Sequence, residues 1–130
     1  MSAIYEFIIK ESHLDTFGHV NNATYLTLFE EARWELISQR GYGLDYIKLT
    51  GLGPVILEIQ IRFQKELLLR QKIKVETTLL NYEGKIGKLR QTMINEKGET
   101  CCSAELTFGL FDTKLRKLVA PTAEWRRAIE

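Results

Sequence analysis

The groups best suited to chemistry lie together between Asp15 and Tyr25, where the chain reads Asp-Thr-Phe-Gly-His-Val-Asn-Asn-Ala-Thr-Tyr. A carboxylate, an imidazole and two carboxamides stand just ahead of an amphipathic helical stretch. The start of a helix leaves backbone N–H groups unpaired and carries partial positive charge, so it polarises a carbonyl while a nearby carboxylate attacks it or activates water. No other segment gathers such groups.

Elements with recognisable periodicity must position this segment. Ile4 to Lys10 is rich in β-branched and aromatic residues, with Tyr5, Phe7 and Ile9 on one side, and reads as a first strand. From Asn22 to Gln39, Tyr25, Leu28, Phe29, Ala32 and Leu36 form one helical stripe, while Thr27, Glu31, Trp34, Glu35 and Ser38 gather on the other side. One long helix is expected there, capped by Asn21 or Asn22 and stopped at Gly41 after Arg40. Residues 42 to 53 form a connector with a turn or two of helix around Leu44 to Leu49.

Further along, Val55, Leu57, Ile59, Ile61 and Phe63 alternate with Ile56, Glu58, Gln60, Arg62 and Gln64, which predicts a long strand over 54 to 66 with the first set facing the core. Three more strands are expected at Lys72 to Tyr82, Lys88 to Asn95 and Thr100 to Asp112, joined by turns at Glu83-Gly84-Lys85 and Glu96-Lys97-Gly98. Pro121 suits the first turn of a short C-terminal helix carrying Trp125 and Ile129. The order of elements predicts an α+β fold in which an antiparallel sheet of about five strands is covered by one helix, with self-association to cover what remains.

Composition narrows the function classes. The chain has 130 residues, 45% of them hydrophobic, which suits a single domain over 1–130. Its formal net charge is +1, with both signs interspersed, so neither nucleic acid nor an anionic membrane surface is an expected partner. No apolar run approaches the roughly 20 residues that cross a bilayer, and the first residues lack a secretory signal, so a cytoplasmic location is expected. Cys101 and Cys102 are adjacent, which suits neither a zinc site nor a disulfide framework. On a strand they would point to opposite faces, and both are read as packing residues.

The motif Asp15-x-x-Gly18-His19-Val20-Asn21-Asn22-x-x-Tyr25, followed by Phe29-Glu30-Glu31-Ala32-Arg33-Trp34, resembles the hotdog-fold thioesterases. The likeness is greatest to the long-chain acyl-CoA thioesterases of the FadM/YbgC type within the 4-hydroxybenzoyl-CoA thioesterase family, and the turn Gly84-Lys85-Ile86-Gly87 adds to it. The resemblance implies a curved sheet wrapped around the helix and a homodimer joined sheet edge to sheet edge, with each active site at the interface. It also implies pairing of dimers into a homotetramer. The implied reaction is hydrolysis of fatty or aryl acyl-CoA to free acid and CoA, with no metal and no cofactor.

By the same resemblance Asp15 is the catalytic carboxylate, acting as general base toward water or as nucleophile through a mixed anhydride. Burial against Phe17 would raise its pKa and the helix start would lower it, which leaves the net sign open. Asn22, from its offset to Asp15 in the motif, marks the N–H groups that receive the thioester oxygen. Its side chain is equally suited to capping. His19 either bonds the thioester or orients water and Asp15. Gly18 provides a positive φ or close approach of substrate. Tyr25 belongs to the apolar stripe, with a hydroxyl able to reach the site, and Glu31 is a reserve carboxylate because some hotdog thioesterases use one on the helix. His13 reads as a polar residue at the end of the first strand. CoA phosphates require basic partners, for which Lys85 ranks first, then Lys88, with Arg62, Lys65 and Arg70 as further candidates. Relatives often carry Pro at the position of Glu66 and Gly-Asp or Ser-Asp at Arg70-Gln71, so local CoA contacts differ here. Two other functions fit a hotdog chain: a hydratase or dehydratase using His19 and a carboxylate, and an acyl-thioester binding protein without turnover. The spacing from Asp15 to Asn22 favours hydrolysis.

Overall fold

The computed structural model describes residues 2–130. Six strands and three helices follow the order β1 (Ser2–Ile8), α1 (Asn22–Gln39), α2 (Leu44–Thr50), β2 (Leu52–Phe63), β3 (Lys72–Glu83), β4 (Ile86–Ile94), β5 (Thr100–Asp112), β6 (Lys117–Val119) and α3 (Ala123–Ile129), with a 3-10 turn at Glu11–His13. All pairings are antiparallel, and the sheet order is β1-β3-β4-β5-β2. The short β6, which the sequence pattern does not announce, pairs with the end of β5.

The long helix spans the expected residues. Asn21 caps it, its side chain accepting from the Ala23 N–H at 2.9 Å, and Gly41 follows its end with φ +83°. Its buried residues are the expected Tyr25, Leu28, Phe29, Ala32 and Leu36, together with Ile37. They meet the inward side chains of β3, β4 and β5, among them Val75, Met93, Ala104 and Leu106. Toward the C-terminal end of α1 a second cluster forms around Phe108, Leu110, Tyr42 and the α3 residues Trp125 and Ile129.

Trp34 is exposed on the side of α1 where its spacing places it, bordering an apolar cavity between α1 and β2. Three expectations need correction. The alternation of β2 is interrupted by a bulge at Leu57, where pairing with β5 shifts between Ile56 and Glu58. Before the bulge Pro54 and Ile56 face the helix, and after it Ile61 and Phe63 do, so Val55 and Leu57 do not continue the core face. Cys101 stands at a second irregularity, since Thr100 pairs with Ile94 and Cys102 with Met93. Both cysteines are therefore buried in the same core cluster rather than on opposite faces. Finally, Pro121 precedes α3 instead of opening it. Thr122 is the cap, its hydroxyl accepting from the Trp125 N–H at 3.1 Å.

Strand ends differ from expectation by one to three residues. β1 stops at Ile8, where the chain bends into the 3-10 turn and His13 Nδ1 accepts from the Lys10 N–H. The turn between β3 and β4 contains only Gly84 and Lys85, because Glu83 already pairs with Ile86. Gly84 has φ +59°, the positive angle that a tight hairpin needs at its first position. Gly87 has a different reason to be glycine. It pairs with Phe108, and a Cβ there would run into the Phe108 ring.

Candidate active site

Leu14 and Val20 form an isolated antiparallel bridge that closes residues 15 to 19 into a small loop before α1. The Asp15 N–H donates to the His19 carbonyl at 2.8 Å, and the Gly18 N–H donates to the Asp15 carbonyl at 3.0 Å. Asp15 Oδ1 accepts from the backbone N–H groups of Phe17 at 2.9 Å and His19 at 3.1 Å. These bonds orient the carboxylate and leave its second oxygen without a hydrogen bond among the described residues. Gly18 has φ +78°, and a Cβ there would meet nothing within 4 Å. Its requirement is therefore the left-handed backbone and not close approach within this chain.

At the helix start the N–H of Ala23 is held by the side chains of Asn21 and Asn22, each at 2.9 Å, and that of Thr24 by the Asn21 carbonyl. The N–H of Asn22 makes no hydrogen bond among the described residues. It is thus an open donor at the positive end of an 18-residue helix. Val20, Asn22 and Tyr25 line an open depression with Phe63 and Lys65. The Tyr25 ring is buried and meets Phe63 edge-on at 5.0 Å, and burial raises the pKa of its hydroxyl.

Other expected site residues fall elsewhere. His19 touches Asp15 through backbone atoms, and its ring is exposed with no bond to the carboxylate. Phe17 is 82% exposed, so it does not bury Asp15 within one chain. His13 packs edge-on against Phe7 and serves the 3-10 turn. Glu31 is exposed on the β1 side of α1, near enough to Tyr5 to act on its hydroxyl electrostatically, and roughly 14 Å of helix rise separates it from Asn22.

The basic candidates are scattered. Lys65 borders the depression and pairs with Glu99 at 2.6 Å, an exposed bridge that raises the lysine pKa and lowers that of the carboxylate. Arg70 is held by Glu11 through two bonds of 2.6 and 2.9 Å. Arg62 lies opposite Ser103, on the outer sheet face beside the Arg90–Glu105 pair. Lys85 and Lys88 lie on the β3–β4 hairpin, near Phe108 and the C-terminal end of α1. Within a single chain they are at the far end of the helix from Asp15.

A buried polar group escaped the sequence reading. Gln91 is fully buried on the inward face of β4; its amide donates to the Phe29 carbonyl at 3.0 Å and to Thr77 Oγ1 at 3.1 Å. Its oxygen accepts from Arg33 Nη1 at 2.9 Å. The available signal was a polar residue at the parity of Leu89 and Met93, both buried.

Residues 10–129 match the model of the thioesterase-like superfamily. The chain is 30% identical over 123 residues to the long-chain acyl-CoA thioesterase FadM of Escherichia coli (strain K12), covering 94% of this chain and 92% of that protein. Among solved structures, the probable thioesterase YbaW from Escherichia coli is 28% identical with a TM-score of 0.84, over 96% of this chain and 94% of the other. A Staphylococcus aureus protein solved in complex with CoA shares the fold with a TM-score of 0.91 at 17% identity, over 98% of this chain and 81% of that one. The chain belongs to the thioesterase-like superfamily of thioester hydrolases, and its fold is the hotdog fold.

Proposed function

We propose that the protein hydrolyses acyl-CoA thioesters, with Asp15 as the catalytic carboxylate and the Asn22 N–H as the donor that receives the thioester oxygen. The observation that carries this reading is the pairing of a fixed carboxylate, one oxygen free, with an open N–H at the helix start. A preorganised donor stabilises the oxyanion of a tetrahedral intermediate more than the ground-state carbonyl, and it needs no rearrangement during reaction. Asp15 acts on water as general base or attacks the carbonyl directly. The family relative FadM, named as a long-chain acyl-CoA thioesterase, supports acyl-CoA as the substrate class.

The active form is a homodimer joined through β2. That strand is a free sheet edge with Leu57, Ile59 and Phe63 exposed to 47%, 37% and 49%, an unprotected apolar edge that invites pairing. A two-fold axis across the edge reverses the second sheet. The end of the molecule that carries Lys85 and Lys88 then approaches the start of α1 in the other subunit, where these lysines are available to CoA phosphates.

Product analysis separates this reading from its rivals. Release of free CoA thiol from acyl-CoA is expected, with no hydration of an enoyl-CoA. Hydration without thiol release would make the protein a hydratase, and saturable binding with neither reaction would make it an acyl-thioester carrier.

A further inference from the structure

Two buried polar residues, Gln91 of β4 and Thr77 of β3, interrupt the apolar layer that faces α1. They are cross-strand neighbours, and β4 is the middle strand of the sheet order. The Gln91 amide donates to Thr77 and to the Phe29 carbonyl of α1, while Arg33, one turn further along the helix, donates to the Gln91 oxygen. α1, β3 and β4 are thus tied at a single buried point. Stability does not explain this cluster. Arg33 has no carboxylate within ion-pair distance among the described residues, and the loss of water around its guanidinium lowers its pKa. Burying such a cation and an amide costs desolvation that hydrogen bonds at best offset, and apolar side chains of similar volume are often as stabilising or more so. What directional bonds add is register: apolar contacts are non-directional, whereas the Phe29 carbonyl meets the Gln91 amide at one axial position of the helix.

Register bears on the site because the depression at the start of α1 has one wall on the helix and the other on the sheet. Asn22 and Tyr25 ride on α1. Phe63 ends β2, and beyond it the N–H groups of Gln64 and Lys65 both donate to the Cys101 carbonyl of β5 at 2.9 Å. Sliding α1 along the sheet would carry the open Asn22 N–H past a thioester resting on the sheet wall. Phe29, where Gln91 holds the helix, is about two turns from Asn22. Building on the thioesterase reading, we infer that Gln91, Arg33 and Thr77 are positioning residues that set the axial register of α1, and with it the place where the Asn22 N–H meets the thioester oxygen. They touch neither substrate nor reacting atoms. A donor misplaced by about 1 Å can cost on the order of 100-fold in rate, so the cluster acts on kcat and not on binding.

The test compares wild type with the triple variant Gln91→Leu, Arg33→Met, Thr77→Val, because Gln91→Leu alone strands the Arg33 donor. The triple variant strands nothing, since the Phe29 carbonyl also receives the helical N–H of Arg33. It should match or exceed wild type in denaturant unfolding, while its kcat on palmitoyl-CoA falls roughly tenfold or more and its KM stays within about twofold. An unchanged kcat would overturn the inference. So would a kcat that falls only in proportion to a loss of stability, which would make the cluster structural support. Should the triple variant not fold, Thr77→Val keeps the shape and removes one bond: a lower kcat at equal stability supports the register role, and an unchanged kcat refutes it. If wild type does not cleave palmitoyl-CoA or other acyl-CoAs, the hydrolysis reading fails separately. Nuclear Overhauser contacts between the Tyr25 and Phe63 rings, which meet at 5.0 Å across the two walls, then decide the question of register. Weaker contacts in the triple variant support it and unchanged contacts refute it.

Discussion

Asp15 is useful because its neighbours commit only part of it. Two backbone N–H groups hold Oδ1, which fixes the direction of the carboxylate while the other oxygen stays open toward substrate or water. Gly18 makes that geometry possible, since its φ of +78° lets residues 15 to 19 close between Leu14 and Val20. Replacing Gly18 by Ala should cost about 1–2 kcal/mol if the loop keeps its conformation. The accompanying measurement is thermal unfolding alongside thiol release: a loss of turnover larger than the loss of stability would show that the loop has shifted Asp15. The cysteines contribute packing, to which Cys101 adds a weak bond from Sγ to the Glu99 carbonyl at 3.7 Å. Burial pushes the Cys102 thiol up to about 12, so it holds no appreciable thiolate at neutral pH.

At the scale of elements, the β3–β4 hairpin and the β4–β5 end each rest on one local arrangement. Gly87 lies under the Phe108 ring, which is itself fixed between Tyr82 and Trp125 at 5.4 and 6.1 Å. Gly87→Ala is expected to destabilise the fold by about 1–3 kcal/mol, measured by denaturant unfolding, because the ring has no free space to enter. The Lys65–Glu99 bridge gives a pH-dependent contribution. Glu99 is held below its ordinary pKa by the Lys65 and Asn95 hydrogen bonds. Its contribution is therefore present above the unfolded carboxylate pKa and lost as pH falls through the depressed folded value. The difference in unfolding midpoint between wild type and Glu99→Gln should be present at neutral pH and vanish in acid, and it should be small because both groups are exposed. Regular periodicity made most of the fold legible. The stripe from Tyr25 to Leu36 and the β5 run from Thr100 to Asp112 lie where their patterns place them. The bulges at Leu57 and Cys101 were not legible, because an inserted residue changes facing without changing composition. β6 is too short for periodicity to detect. The motif from Asp15 to Asn22 pointed to the candidate site and, through its offset from Asp15, to the N–H groups at Asn22; which oxygen of Asp15 is held and which stays open depends on backbone bonds that residue types do not reveal. The burial of Arg33 over Gln91 depends on a contact between residues far apart in the chain.

For the whole molecule, the proposed homodimer would make one chain only part of the site. Lys85 and Lys88 stand at the opposite end of α1 from Asp15, and β2 presents an unpaired apolar edge. Edge pairing accounts for both features with a single operation. Ile59→Lys places a charge on that edge and should shift the protein toward monomer in sedimentation analysis, with turnover falling in parallel. Full turnover by a proven monomer would remove the second subunit from the site. The central claim is that Asp15 cleaves the thioester, and the most direct measurement is thiol release from a panel of acyl-CoAs by wild type and by Asp15→Asn verified as folded. The substitution keeps the shape of the side chain and deletes its charge. The expected result is turnover by wild type and a fall of roughly 10²–10⁴-fold in the variant. Near-normal turnover by folded Asp15→Asn would contradict the account.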